Sequence, residues 1–179
     1  MRAVIERQYD KRIDVPVEKG CPLNDILQIR IATERDLPDL LPLFGQLGMD
    51  DGRVLTAGEA EQIFRRMMTY PDYRLYVADF EGIVVGVFAL LIMDNLGHLG
   101  APAAVIEDVI VQSNWRGRGI GRRMMAFAME LARAKRCYKL VLSSNRHRDE
   151  AHRFYKSIGF ERHGYSFLVE VEANEANRP

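Results

Sequence analysis

Short stretches of the chain alternate hydrophobic and polar residues, or are almost wholly apolar, as β-strands do. The alternation in LQIRIA predicts a first strand at 27–32. Apolar stretches predict further strands at about 73–80, 83–93, 103–111 and 138–144, with a tight hairpin at Glu81-Gly82. The last alternating stretch, 160–172, predicts a hairpin that turns at His163-Gly164. We therefore expect a central sheet of about six to seven strands.

Apolar residues that recur every three or four positions predict helices between these strands. Such patterns cover about 36–47, Thr56 to Met68, the glycines near 120 to about 136, and 149–158. Thr56 and Glu59 have capping-box spacing, which should begin the second helix. Pro42 is expected to kink or split the first helix, and Gly159 to follow the end of the last. About four helices around a mixed sheet predict a single α/β or α+β domain.

The chain has 179 residues, which is enough for one domain with a substantial core. We place this domain at 28–172. An N-terminal extension at 1–27 precedes it, and its pattern defines no structure. A polar tail at 173–179 follows it and is expected to fray.

The charge balance and the cysteines limit the partners and the compartment. Lys and Arg together number 25, as do Asp and Glu, whereas nucleic-acid-binding domains usually carry a basic excess. The chain has no apolar run of about 18 residues, and its N-terminus does not resemble a signal peptide. Cys21 and Cys137 are the only cysteines and lack metal-ligand spacing, which favours reduced thiols in the cytoplasm. We expect no nucleic-acid, membrane or metal partner.

The stretch WRGRGIGRRMM, at 115–125, places three glycines and several arginines where a helix should begin. A helix N-terminus has unpaired N–H donors, and glycines let an anion approach them closely. The pattern therefore favours a phosphate or pyrophosphate site. The even glycine spacing does not fit the Rossmann fingerprint, and no Gly-Lys-Ser/Thr follows as in a P-loop. A disordered nucleic-acid-binding segment and a loop whose glycines serve only close packing are the alternatives.

Two motifs resemble those of a known superfamily. Arg116-x-x-Gly119-x-Gly121, after an apolar strand, is similar to the acetyl-CoA pyrophosphate loop of GNAT N-acetyltransferases. AHRFYKSIGF, at 151–160, resembles their second signature, a short helix with a tyrosine followed by Gly-Phe. The resemblance covers about 28–171 and implies a GNAT-like fold, acetyl-CoA as co-substrate and a homodimer. Glu107-Asp108 and Cys137-Tyr138-Lys139 look closest to small-molecule enzymes such as glucosamine-6-phosphate N-acetyltransferases.

The resemblance also assigns roles along the coenzyme. The pantetheine arm is expected to pair with the strand backbone, and the pyrophosphate to bind the loop amides and nearby arginines. The residues concerned are Val109, Ile110, Val111, Arg116, Gly117, Arg118, Gly119, Ile120, Gly121 and Arg122. Many relatives carry an asparagine at the start of the tyrosine helix, where this chain has Arg148. We therefore assign that contact to Asn145.

Proton transfer requires a base for the amine and an acid for the departing sulfur. Glu107 and Asp108 are the only acids in an otherwise apolar strand, where burial should raise their pKa. As strand neighbours they are expected to point to opposite faces. We favour Glu107 as the base; a structural ion pair is the alternative for either residue. Tyr155 matches the family tyrosine that protonates the thiolate, and its alternative role is core packing.

Fewer residues of the sequence can be assigned to binding of the acceptor amine. Arg146 and Arg148 flank His147 in a basic cluster that is suited to an acidic or phosphorylated acceptor, unless it is only a solvated loop. His98, in a glycine-containing loop, is a candidate for the acceptor mouth. The hypothesis is an N-acetyltransferase that acts on a small-molecule amine, such as an amino sugar. Acetylation of a protein N-terminus or lysine, and a non-catalytic acetyl-CoA sensor, are the alternatives. The presence of Glu107, Asp108 and Tyr155 argues against the sensor.

Overall fold

The computed structural model describes residues 26–48, 51 and 53–169. They form one α+β domain with a mixed sheet of five strands. The strands are β1 (Leu27–Ile31), β2 (Tyr73–Phe80), β3 (Ile83–Met93), β4 (Ala103–Val111) and β5 (Lys139–Leu142). The α-helices of this part of the chain are α1 (Leu37–Gly45), α2 (Ala57–Met67), α3 (Ile120–Ala134) and α4 (Asp149–Ser157).

The strands lie in sequence order across the sheet. Neighbours from β1 to β4 are antiparallel, whereas β4 and β5 are parallel. The parallel pairing joins only Ala103–Ile106 of β4 to Lys139–Leu142 of β5. Because β4 continues to Val111, its last residues have an outer edge with no ladder partner among the described residues.

Two hydrophobic cores cover the two faces of the sheet. The first core packs Tyr76, Phe88 and Ile106 against Met124 and other residues of α3. The second core packs strand residues against α1 and α2; its members include Leu40, Phe64, Val77, Ala89 and Ile110. α3 and the α1–α2 pair therefore lie on opposite faces, and the sheet, with β4 and its two acids, lies between them.

The prediction of six to seven strands is wrong: the sheet has five, and the described part of the expected hairpin, 160–169, adds none. Residues 161–169 have no strand structure, and 170–172 lie outside the described residues. The large apolar side chains of the segment are highly exposed: Tyr165 82%, Phe167 94%, Leu168 87% and Val169 80%. Alternation marks a segment that can pair, but pairing also requires a surface that buries its apolar side.

Several local predictions are confirmed. The Thr56 hydroxyl accepts a hydrogen bond from the Glu59 N–H, and the Glu59 carboxylate accepts one from the Thr56 N–H, which closes the capping box. Glu81 and Gly82 have φ of 51° and 86° and form the tight hairpin turn. Gly159 follows α4 with φ 97°. The expected split at Pro42 does not occur: α1 continues to Gly45, although Pro42 lies inside the helix and lacks the N–H that would donate to the Pro38 carbonyl.

The predicted extension at 1–27 lies outside the described residues except for Ile26 and Leu27, and Leu27 begins β1. The predicted tail at 173–179 lies wholly outside them.

Candidate active site

β4 contains a bulge at the two candidate bases. Val87 of β3 pairs with Ile110, and Ala89 pairs with Glu107, so three steps along β4 face two along β3. Asp108 is the residue with left-handed backbone, at φ 53°. The bulge reverses the alternation, since Ile106 lies in the first core and Ile110, four residues later, lies in the second.

The prediction that Glu107 and Asp108 point to opposite faces is therefore wrong. Glu107 follows Ile106, which faces the first core, and Asp108 precedes Val109, which also packs against the first core. Alternation on each side of the bulge thus puts both carboxylates on the face of the second core. Burial raises the pKa of the Tyr73 phenol, and the charges of Asp108 and Glu107 both raise it further, as expected for two carboxylates on one face.

Burial raises the pKa of both carboxyl groups above their ordinary values. For Glu107 the Asp108 charge adds to the effect of burial, and for Asp108 burial is the cause. Neither carboxylate forms an ion pair with another described residue. The alternative role as a structural ion pair therefore has no partner in this part of the chain, and the raised pKa suits a base that works nearer to neutral pH.

At the end of β4, the main-chain N–H and C=O groups of successive residues point alternately toward β3 and toward the outer edge of the sheet. The Gln112 N–H donates to the Val85 carbonyl of β3 at 2.9 Å. By strand alternation Ile110 faces β3 as well, and Val109 and Val111 face the outer edge. The prediction that all three residues offer open main-chain groups is therefore corrected for Ile110. The Val111 carbonyl accepts a hydrogen bond from Arg116 Nε at 3.2 Å.

The three glycines of the loop are required for two different structural reasons. Gly117 and Gly119 have φ of 74° and 80°, and a Cβ at either position would meet open space. Glycine is therefore needed at these two positions for its left-handed backbone, not for lack of space. Gly121 has no left-handed backbone, but its Cβ would lie 3.2 Å from Cζ of Phe154. The packing alternative therefore holds for Gly121, where α4 meets the start of α3.

The start of α3 has the properties of an anion site. Gly119 is the N-cap and provides no side-chain cap, and the ladder begins with the Arg123 N–H donating to the Gly119 carbonyl. The N–H groups of Ile120, Gly121 and Arg122 therefore precede the ladder. The first turn has no acidic residue. The Ile120 side chain is buried at 2% exposure, so this residue offers only its main chain.

The predicted arginines surround this turn. Arg116, Arg118 and Arg122 are all exposed. The Arg118 guanidinium lies 4.8 Å from the centre of the Trp115 ring, and Trp115 packs against Phe80 with ring centroids 4.7 Å apart. Stacking on Trp115 holds one positive charge beside the loop, and Arg118 has no acidic partner among the residues that the structure describes.

Tyr155 lies on the other side of the sheet from the acids. Its ring packs against Phe154 and Phe160 at centroid distances of 5.2 and 5.8 Å, within the margin of the first core. Burial raises the pKa of its hydroxyl, and the Arg148 charge opposes this effect. The structure thus groups Tyr155 with Arg148, not with Glu107 and Asp108. A thioester along the outer edge of β4 would be reached from one face by the acids and from the other by the phenol.

Asn145 and the basic cluster form the turn before α4. The Asn145 side-chain oxygen accepts from the His147 N–H at 3.0 Å, and its carbonyl accepts from the Arg148 N–H at 3.0 Å. Arg146 Nε donates to His147 Nε2 at 3.1 Å. The side-chain oxygen of Asn145 is thus already engaged, which leaves its amide N–H₂ as the group for the predicted coenzyme contact.

His98 lies at a cavity of about 410 Å³ on the same face of the sheet as the acids. Its ring stacks on Tyr138, with ring centroids 3.7 Å apart. Lys139 also lines this cavity. Sequence reasoning noted Tyr138 and Lys139 only as part of the resemblance to small-molecule enzymes and assigned them no place in the site. It gave no signal for Tyr73, which lies near both acids.

Two further findings concern the described residues alone. No helix among them is long and apolar enough to cross a membrane. No three of their His, Cys, Asp or Glu side chains come together as a metal site requires.

Comparison with known proteins identifies the family. Residues 43–160 match the model of the Acetyltransferase (GNAT) family. Glucosamine 6-phosphate N-acetyltransferase of Trypanosoma brucei brucei is 30% identical over 139 residues, which cover 76% of this chain and 90% of that protein. Aminoalkylphosphonate N-acetyltransferase of Salmonella typhimurium is 28% identical over 142 residues, with coverage of 79% and 90%.

Solved structures agree with this. A protein from Agrobacterium tumefaciens str. C58 superposes with a TM-score of 0.76 at 37% identity, over 80% of this chain and 99% of that one. The family match, the glycine turn before α3 and the bulged β4 have one common explanation. The chain belongs to the GNAT family of acetyltransferases.

Proposed function

We propose that the protein transfers an acetyl group from acetyl-CoA to the primary amine of a small molecule by direct attack in a ternary complex. GNAT acetyltransferases use acetyl-CoA as co-substrate. The observation that carries the proposal is the turn of left-handed glycines that opens α3 beside the unpaired edge of β4. The turn suits the pyrophosphate, and the edge suits the amide groups of the pantetheine arm.

The chemical steps follow from the positions of three side chains. Glu107, directly or through a water, takes a proton from the acceptor ammonium and frees its lone pair. The amine attacks the thioester carbon, and the C–S bond breaks as the tetrahedral intermediate collapses. Tyr155 donates its proton to the departing sulfur, the new amide nitrogen loses its second proton to solvent, and solvent restores the phenol. Asp108, which is more buried than Glu107, keeps the local pKa high through its charge.

The acceptor is proposed to be an amino sugar or a similar amine that carries an acidic or phosphorylated group. Two relatives are named for glucosamine 6-phosphate and for aminoalkylphosphonate, and each of these acceptors combines an amine with a phosphorus oxyanion. The rival acceptors are a protein N-terminus and a lysine side chain, which require an open groove for a peptide.

Thiol release tests the function. The protein should release CoA from acetyl-CoA in the presence of at least one small amine from a panel of amino sugars, aminophosphonates and amino acids. Faster release with peptides than with any small amine would favour the protein substrate. Acetyl-CoA binding with no release for any amine would favour the sensor.

Tyr155→Phe should lower turnover about 10-fold or more while leaving acetyl-CoA affinity nearly unchanged, because only the proton donor is lost. Phenylalanine keeps the ring contacts with Phe154 and Phe160. Steady-state rates and calorimetry with acetyl-CoA measure the two effects separately. Full activity of the variant would assign Tyr155 to packing.

A homodimer in the cytoplasm completes the proposal. The exposed apolar segment at 165–169 supports it, because four large side chains at 80% exposure or more are costly in water. Sedimentation equilibrium should give twice the mass of the chain, which is 20.5 kDa. A monomer at micromolar concentration would contradict the dimer.

A further inference from the structure

We propose that the Ser144 hydroxyl donates a hydrogen bond to the coenzyme sulfur as the C–S bond breaks, beside Tyr155, which gives the sulfur its proton. The proposal rests on the proposed function, since it assigns a further catalytic residue to the same reaction. It starts from an atom that the chain leaves without a partner. Ser144 Oγ is buried, and among the described residues it is the one buried side-chain nitrogen or oxygen that forms no hydrogen bond.

A buried hydroxyl without a partner is unfavourable in a folded chain. It loses its hydrogen bonds to water on burial, and the loss is offset only where another group replaces them. Buried polar side chains are therefore nearly always paired, and an exception needs an explanation. The turn that follows has its own bonds, since Asn145 accepts from the N–H groups of His147 and Arg148. Ser144 is not needed to close this turn, and its hydroxyl is available to a ligand.

The alternation along β5 indicates which face of the sheet carries Ser144. Leu140 and Leu142 pack against the first core, whereas Val141 lines the cavity on the second-core face. The same alternation, continued past the end of the strand, puts Ser143 on the second-core face and Ser144 on the first-core face. Burial agrees with this, since Ser143 is exposed and Ser144 is half-buried.

Tyr155 lies on the same face as Ser144. Its ring belongs to the margin of the first core, as does Val109 of β4. Because Ser144 Oγ has no partner among the described residues, the phenol and this hydroxyl do not bond to each other. Two hydroxyl groups that share a face without pairing are both available to one ligand atom between them.

The register of the sheet puts Ser144 level with the bulge of β4. Ile106 is the last residue of β4 that pairs with β5, and its partner is Leu142. Because the two strands are parallel, Ser144 is level with Asp108, the left-handed residue of the bulge. The outer edge of β4 beyond Ile106 is where we place the pantetheine arm. Ser144 therefore faces the coenzyme from the β5 side of that edge.

This level favours the sulfur over the amide groups of the pantetheine arm. The arm is proposed to start from the turn before α3 and to pass Val111 and then Val109, whose outward main-chain groups suit its amides. The sulfur follows these amides and lies at the bulge. A hydroxyl level with Asp108 therefore meets the thioester end of the coenzyme.

The reaction needs stabilisation of charge at this atom. When the tetrahedral intermediate collapses, the electron pair of the C–S bond passes to the sulfur, and Tyr155 transfers its proton there to form S–H. Burial raises the pKa of this phenol, which makes it a weaker acid. The Ser144 hydroxyl keeps its own proton and donates a hydrogen bond, which strengthens as the sulfur becomes negative. The departing sulfur is thus stabilised before the phenol has given up its proton.

Binding without an acceptor tests the contact. The probes are CoA and desulfo-CoA, in which hydrogen replaces the thiol group, and calorimetry measures both affinities over a range of pH. Ser144→Ala should lower the affinity for CoA relative to desulfo-CoA about 10-fold at alkaline pH, where the thiolate binds. The difference from wild type should vanish as pH falls, because a protonated thiol is a weak acceptor. Equal losses for the two ligands, or an unchanged ratio, would refute the contact.

Two further variants serve as controls in the same titrations. Ser144→Thr keeps a hydroxyl and should retain the preference for CoA over desulfo-CoA. Ser143→Ala removes the exposed hydroxyl next to it, on the opposite face, and should leave the ratio unchanged. Loss of the preference in Ser143→Ala instead of Ser144→Ala would overturn the assignment.

The stability of the ligand-free protein gives an independent readout. Ser144→Ala should leave the melting temperature unchanged or raise it, because the hydroxyl that it removes is buried and unpartnered. A clear drop in the melting temperature would mean that Ser144 serves the fold, which would overturn the proposal.

Turnover tests the catalytic role and separates it from the proposed function. Ser144→Ala should lower kcat about 10-fold with the KM for acetyl-CoA nearly unchanged, because the bond strengthens only in the transition state. An unchanged kcat would overturn the catalytic role. If no amine is acetylated but the CoA preference depends on Ser144, the proposed function fails and the sulfur contact stands. Acetyl transfer without that preference would overturn the contact alone.

Discussion

Gly119→Asp should weaken acetyl-CoA binding at least about 100-fold, which is about 2.7 kcal/mol. The substitution puts a carboxylate at the N-cap of α3, where it would accept the N–H bonds that we assign to the pyrophosphate. A Cβ at this position meets open space, so crowding would not cause the loss. Isothermal titration calorimetry with acetyl-CoA measures it.

Gly119→Asn is the matched control. Asparagine has nearly the same shape as aspartate and tolerates left-handed backbone, but it carries no charge. It should weaken acetyl-CoA binding by about 10-fold or less, because its side chain still occupies the anion site but adds no negative charge. Equal affinities of the Asp and Asn variants would mean that the turn before α3 does not hold an anion.

Glu107→Gln should lower turnover about 100-fold or more, with acetyl-CoA affinity unchanged, because glutamine keeps the shape but cannot take a proton. A base must be ionised, and burial and Asp108 raise the pKa of Glu107 above its ordinary value of 4.5. The wild-type rate should therefore fall as pH drops through this raised pKa. The acceptor amine also titrates, and its effect is the same for both proteins. Comparing the pH profiles of the wild type and Glu107→Gln on the same acceptor therefore isolates the titration of Glu107.

Asp108→Asn distinguishes the two candidate bases. Asparagine accepts the left-handed backbone of this bulge position, so the strand should keep its register. The variant should lose less turnover than Glu107→Gln, and the acid limb of the remaining activity should shift to lower pH because one repulsive charge is gone. A larger loss in Asp108→Asn than in Glu107→Gln would reverse the assignment.

The sequence predicted most elements of the fold because each has a local cause. The Thr56–Glu59 capping box, the Glu81-Gly82 turn and Gly159 after α4 depend only on neighbouring residues. The strand prediction at 160–172 failed because a strand also needs a partner, and a pattern within one segment carries no information about the partner.

In the candidate site, too, the sequence predicted the features with a local cause and missed those that depend on pairing between strands. The glycine turn was predictable because glycines, arginines and an amphipathic helix are adjacent in sequence. The bulge at Asp108 was not, since nothing in VIEDVIV marks an extra residue, and it changes the face of one acid. The cluster of His98, Tyr138 and Lys139 depends on the parallel register of β4 and β5, which brings residues distant in sequence together.

A crystal structure with CoA bound tests the central claim most directly. The diphosphate should lie within hydrogen-bonding distance of the main-chain N–H groups between Gly117 and Arg122, with the pantetheine arm along Val109 and Val111. The sulfur should then lie at the β4 bulge, between Glu107 and Tyr155. A diphosphate held away from the N-terminus of α3 would contradict the account.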